Sequence, residues 1–179
     1  MSSTVFVCLR NHTPPCIPAG LSRFAQAASK CRAIGNFNGM MTVLSALQST
    51  PVHRLKSLWS SLSSRVRSSF NTMVGLTENR FAGVRSELTS MEPPCIPYLG
   101  MYLTELTFLE DGNADEVEGG LVNFFKRERV AQVIKAIQSF QKTPYFFVRI
   151  PGLVQYISEY AVLDEEALYA ASLEVEPRS

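Results

Sequence analysis

The sequence predicts an all-α fold, an irregular helical bundle, and three observations predict it. Apolar residues recur at spacings of three and four from Leu21 almost to the end of the chain. No stretch shows the sustained two-residue alternation of a half-buried strand. Asparagine, threonine, aspartate, glycine and proline fall where helices would have to start and stop. A chain of 179 residues with 46% apolar residues is long enough for one well-buried core.

Residues 1–20 stand apart. They carry Pro14, Pro15, Pro18 and Gly20 and read as a poorly ordered or loosely packed leader, with the folded domain expected over 21–179. From Leu21, Phe24, Ala28 and Cys31 mark a helix that Gly35-Asn36 interrupts. A second helix is expected from Asn38, burying Met41, Leu44 and Leu47. Thr50-Pro51 offers an N-cap followed by proline, opening a helix with Val52, Leu55, Trp59 and Leu62 on one face. Val66, Phe70, Met73 and Val74 mark the next helix, and Phe81, Val84, Leu88 and Met91 another.

The run from Pro93 to Pro97 cannot be helical and predicts a rigid extended connector. A helix is expected from about Tyr98 to Glu110, with Gly112 as its C-cap and an acidic loop from Asp115 to Gly120 beyond it. Asn123 is placed to cap a long helix with Val130, Val133, Ile134, Ile137 and Phe140 inward, stopped before Pro144. Residues 145–150 could be extended. Two shorter helices finish the chain, one through Leu153, Ile157 and Tyr160, the other capped by Asp164 and running through Leu168 and Leu173.

Composition excludes several functions. The 17 basic and 16 acidic side chains leave a formal charge of +1, so nucleic acid is not an expected partner. Cys8, Cys16, Cys31 and Cys95 form no CxxC pair, and His12 and His53 have no ligand-like spacing to them, which argues against zinc. Buried free thiols in a reducing compartment are the simpler reading of Cys31 and Cys95. The apolar run Val5 to Leu9 is too short for a signal peptide or a span, and Ser2 stands where N-myristoylation needs glycine. The expectation is a cytoplasmic protein without direct membrane insertion, reaching membranes only through a partner. GxxxxGK[ST], GxGxxG, GxSxG and HExxH are all absent, and adjacent acids such as Glu110-Asp111 point about 100° apart on a helix. Neither bond-making catalysis nor a cofactor is expected.

Two features run against helix physics. Glu110 and Asp111 close one helix, at its negative end, while Lys126, Arg127 and Arg129 open the next, at its positive end. Either the two helices form an antiparallel hairpin whose tip pairs acid with base, or the tip presents charge to a partner. Both can hold at once. The first of these helices is also apolar on nearly every face, through Tyr98, Leu99, Met101, Tyr102, Leu103, Leu106, Phe108 and Leu109, as in a central core helix or one docked on something else.

These residues carry a resemblance. PPCIPYLGMYLTELTFLEDGN (93–113) closely resembles a helix and lead-in of the Ras guanine-nucleotide exchange factor catalytic domain. GLVNFFKRERVAQVIKAIQSFQKTPY (120–145) looks like that family's second hairpin helix, LDEEALYAASLEVEPR (163–178) like its closing helix, and KCRAIGNFNGMMTVLSALQSTPVHRLKSLW (30–59) like its NFN-centred helix pair. The order is right from about Leu21 to Arg178, and the Ras-GRF and Son-of-sevenless branches look nearest.

The resemblance implies a protruding antiparallel helical hairpin, residues 98–141, that opens switch 1 of a Ras-family small GTPase, and a hydrophobic groove that holds switch 2. By motif position, Thr107 and Asp111 would act on the wedge face, flanked by Asn113 and Arg129. The groove would include Met41, Phe81 and Tyr98, with Gln48 as a polar contact. Thr107 stands where Son-of-sevenless-like members have a larger aliphatic residue, Asp111 where they have glutamate, Gln48 where asparagine is common and Phe125 where a small serine is usual. Helices that the family has ahead of Leu21, one of them a contributor to the groove, have no counterpart here, so a truncated domain is expected. Two readings follow from this resemblance: an active or partly active exchange factor, and a non-catalytic GTPase-binding module. A helical scaffold unrelated to GTPases is the third, which the motifs disfavour.

Overall fold

In the computed structural model, residues 16–159 and 164–177 are described. The first described helix, α1 (Cys16–Ala33), starts five residues ahead of Leu21. Of the expected leader, residues 1–15 lie outside the described set. Leu21, Ala25 and Ala28 line the buried stripe of α1, and two alanines there let α2 (Phe37–Leu47) approach closely. These two helices make the most extensive contact in the fold.

Between them, Gly35 takes a left-handed turn with φ 75°. Asn36 then caps α2, its side chain accepting from the Gly39 N–H at 2.7 Å. From α2 come Phe37, Met40, Met41, Leu44 and Leu47, all buried. The proline connector returns to this corner: the Ile96 N–H donates to the Gly35 carbonyl (2.9 Å), and the Ile96 carbonyl accepts from the Phe37 N–H (2.8 Å). This pairing anchors the connector to the head of α2, two residues before Tyr98. The Pro93-Pro94 bond is cis.

The segment expected as one helix from Thr50 is two, α3 (Thr50–His53) and α4 (Lys56–Ser61), with Ser49 rather than Thr50 at the cap position. The break leaves Leu55 fully buried between them. Trp59 packs on Phe70 at 4.8 Å and donates its indole N–H to the Val52 carbonyl at 3.0 Å. Ser63 caps α5 (Ser64–Ser90), whose first limb buries Phe70 and Met73 and whose second limb buries Val84 and Leu88. The limbs meet at a break where Glu78 is extended and Asn79, Arg80 and Phe81 are left-handed, with φ of 49°, 57° and 62°.

Next come α6 (Leu99–Gly112), a two-residue antiparallel ribbon of β1 (Glu116–Val117) and β2 (Leu121–Val122), and α7 (Phe124–Ser139). The ribbon replaces the plain acidic loop, turning through Gly119 and Gly120 at positive φ. Gly112 is the last residue of α6, and Asn113, not glycine, is its C-cap. Apolar burial in the α6–α7 hairpin concentrates at its base, in Met101, Tyr102 and Val133, while at the distal end Lys126 is the buried side chain among the described residues. Ile134, expected inward, is exposed. Beyond the hairpin, residues 145–150 are irregular, with Tyr145 Oη donating to the Ile34 carbonyl at 2.7 Å.

Then α8 (Pro151–Glu159) and α9 (Glu165–Val175), capped by Asp164, complete the fold; Tyr160 lies outside the described residues. In α9, Leu168 and Ser172 are buried against the α3 region. The architecture is all-α, an irregular bundle with a protruding hairpin. No helix among the described residues is long and apolar enough to cross a membrane.

Candidate functional site

The α6 helix settles the question its apolar surplus posed. Met101 and Tyr102 enter the core, whereas Leu99, Leu103 and Phe108 remain exposed. Residues four apart stack on one helix face, which aligns Leu103, Thr107 and Asp111 along one outward stripe. The Thr107 hydroxyl donates to the Leu103 carbonyl at 3.0 Å. Asp111 is exposed one turn further on, and among the described residues it forms no ion pair.

The acids and bases of the tip are sorted unevenly. Lys126 reaches Glu110 at 3.0 Å and Asp115 at 2.9 Å, and Arg127 reaches Asp115 at 2.9 Å. The hydrogen bond from Lys126, followed by the charges of Lys126 and Arg127, holds the Asp115 carboxyl below its ordinary value. The same bonds, first to Asp115 and then to Glu110, push the Lys126 ammonium above its own. Asn123 stitches the loop: its side-chain oxygen accepts from the Lys126 N–H (3.1 Å) and its amide donates to the Ala114 carbonyl (2.9 Å). Asn113 turns back to the Leu109 carbonyl at 3.0 Å. The Arg129 guanidinium lies over the Phe125 ring at 5.4 Å. Cross-tip neutralisation therefore takes Glu110 and Asp115 and leaves Asp111 out.

A second group gathers at the break in α5. Its left-handed backbone brings Phe81 to 5.2 Å from the Tyr98 ring and Arg80 to 5.1 Å from the Phe108 ring. Tyr98 folds over Gly100, where a Cβ would run into the ring. Phe81 and Tyr98 lie half-buried on the core cluster that contains Met41, itself buried. Beside them opens a mainly apolar cleft of about 470 Å³, lined by Arg80, Phe81, Met101, Thr104 and Phe108 among others. Gln48 stands apart, exposed at the C-cap of α2, with its backbone N–H on the Leu44 carbonyl. Arg85 and Glu105, paired at 2.9 Å, separate this cleft from another of about 610 Å³ under the hairpin.

The two groups are thus distinct: Thr107 and Asp111 on the outward stripe of α6, Phe81 and Tyr98 at the cleft. The sequence names Phe108 for its apolar surplus and Lys126 and Arg127 as bases of the tip, but does not single out Arg80, or Asp115 as the acid that both bases share. The sequence separates the two limbs of α5 as helices through Val74 and from Phe81, and Asn79 is of a residue type that tolerates the left-handed region found between them.

Residues 9–128, more than half of the chain, match the family described as RasGEF domain. The chain belongs to the RasGEF domain family. The match reaches upstream of the motif-bearing region that starts near Leu21. The RasGEF chain is 36% identical to Ras-specific guanine nucleotide-releasing factor 2 of Danio rerio over 99% of its own length and 15% of that protein's. It is 38% identical to Ras-specific guanine nucleotide-releasing factor 1 of Rattus norvegicus (95% of the chain, 14% of that protein). It is 40% identical to Ras guanine nucleotide exchange factor P of Dictyostelium discoideum (88% and 11%). The RasGEF chain thus spans a small part of each relative's length.

Proposed function

We propose that this chain is a guanine-nucleotide exchange factor for a Ras-family small GTPase, acting by binding linkage without bond-making chemistry. The observation that carries this reading is the outward stripe ending in Asp111, an acid excluded from the charge pairing of the tip and borne on a hairpin beside an apolar cleft. The relatives' names as Ras-specific releasing factors and a Ras exchange factor point to the same partner class. In this mechanism the α6–α7 hairpin enters at switch 1, while Phe81, Tyr98 and the cleft hold switch 2, with Met41 supporting them from the core.

An acid brought to the phosphate site opposes the nucleotide's charge and disturbs its magnesium. Exchange then follows from reciprocity: a protein that binds the nucleotide-free GTPase more tightly than the loaded one weakens nucleotide binding by the same factor. A nucleotide held at picomolar strength represents roughly 16 kcal/mol, and contacts with the hairpin and cleft must offset a substantial part of it.

The test is release of a fluorescent GDP analogue from a panel of Ras-family GTPases. Asp111→Ala is expected to slow release while leaving the fold intact, since its side chain is exposed and without an ion pair among the described residues. An unchanged rate in an active chain would remove the wedge role. Tyr98→Ala is expected to weaken the complex by about 2 kcal/mol, as for an aromatic anchor. Capture of nucleotide-free GTPase without accelerated release would assign the chain to the non-catalytic binding module instead.

A further inference from the structure

We infer that Lys126 is a positioning residue: its ammonium ties the end of α6 to the start of α7 and thereby fixes the direction in which Asp111 is presented. The inference rests on the exchange-factor reading and adds a residue that reading does not use. Lys126 occupies the first turn of α7, where the helix dipole disfavours a cation, and yet it is 2% exposed. Both oddities disappear once its reach is followed. Its ammonium lies 3.0 Å from Glu110 Oε1 and 2.9 Å from Asp115 Oδ1, and donates to the Glu110 carbonyl at 3.3 Å. Three acceptors match the three donors of an ammonium.

The Glu110 carbonyl is among the last of α6, where no intrahelical donor is available. The cation thus sits at the negative end of α6 and stabilises it, although it is carried by α7. Glu110 directly precedes Asp111, and adjacent helical side chains diverge by about 100°. Holding both the carboxylate and the carbonyl of Glu110 against α7 therefore leaves Asp111 turned away from the hairpin seam. The polar cage encloses a charge whose burial would be costly unless fully partnered, so this geometry is specified sharply.

The test uses the full chain and three variants: Lys126→Met, Lys126→Arg and Asp111→Ala. Two quantities are read, GDP-analogue release at saturating and sub-saturating GTPase, and amide exchange across the protein. Lys126→Met is expected to lower the saturating rate at least tenfold while the half-saturating GTPase concentration moves less than threefold. Amide exchange over residues 113–126 should accelerate, with the Leu44 and Met73 amides unchanged, and Lys126→Arg should restore the rate to within threefold. A saturating rate within threefold of wild type in Lys126→Met, with Asp111→Ala slow, overturns the positioning role and leaves the exchange reading standing. A loss of core protection in step with the rate overturns it as general unfolding. Slow release in Lys126→Met with normal release in Asp111→Ala shows that Lys126 does not act by presenting Asp111. A wild-type chain that releases no nucleotide refutes both proposals.

Discussion

Replacing Asn123 with alanine should open the hairpin tip without unfolding the bundle. The side chain makes two bonds, accepting from the Lys126 N–H at 3.1 Å and donating to the Ala114 carbonyl at 2.9 Å. Loss of an N-cap costs about 1 kcal/mol, and a further hydrogen bond contributes about 1 kcal/mol. The sum is about 2 kcal/mol, or roughly a 30-fold change in an opening equilibrium. The distal hairpin buries little besides Lys126, so the loss should remain local. Native-state amide exchange is the assay: amides over residues 113–126 should exchange roughly 30-fold faster, with core amides of α2 unaffected. Asn123→Asp keeps the acceptor and adds an anion at the positive end of α7, so it should recover about half of the loss. Wild-type protection in the alanine variant would refute the stitching role; equal loss in α2 would refute its local character.

Gly35→Ala should lower stability by at least about 1–2 kcal/mol, the cost of a left-handed conformation for a residue with a Cβ. That Cβ would also come within 2.9 Å of Met91 Sδ and 3.1 Å of the Pro94 carbonyl; a chemical denaturation midpoint equal to wild type would contradict this. At position 80, with φ 57°, Arg80→Gly should be more stable than Arg80→Ala by about 1 kcal/mol, the reverse of the order inside a regular helix. An alanine variant more stable than the glycine variant would mean that α5 is unbroken. The tip should also respond to pH at both extremes. Asp115, lowered from 3.8, contributes stability above that value and loses it as pH falls through its folded value. Lys126, raised from 10.5, contributes below that value and loses it as pH rises through its folded one. An NMR titration of the Asp115 carboxyl with its midpoint at or above 3.8 would contradict the pairing.

The helices were legible because burial imposes a period. Phe37 to Leu47, Phe70 to Leu88 and the caps at Asn123 and Asp164 could all be read from spacing and chemistry alone. The sequence also separates a helix through Val74 from one that starts near Phe81, but the left-handed backbone at the boundary is not written in that code, since nothing local demands such φ from an arginine and a phenylalanine. The split at Leu55 likewise depends on a distant partner, for Arg54 is held by Ser172, 118 positions away. Ile134 reads as inward by period, yet α7 has little to pack against outside the hairpin base. Within the site, Thr107 and Asp111 come from the family resemblance by motif position, and helix geometry adds only that residues four apart share a face. The reach of Lys126 across the tip could not be read, because only tertiary structure shows which acids it takes and which it leaves.

The bond from Arg54 to α9 has a temporal side. Its Nη1 donates to the Ser172 carbonyl at 2.8 Å, and Glu176 accepts from the Ser57 N–H at 3.2 Å. During vectorial synthesis, the corner around Leu55 must wait for more than a hundred further residues before its last partners leave the ribosome. A nascent chain paused within the hairpin would hold that corner open, with apolar surface at hand for chaperones to shield. Closure of the corner around Leu55 is therefore tied to the emergence of α9, which latches an element made more than a hundred residues earlier.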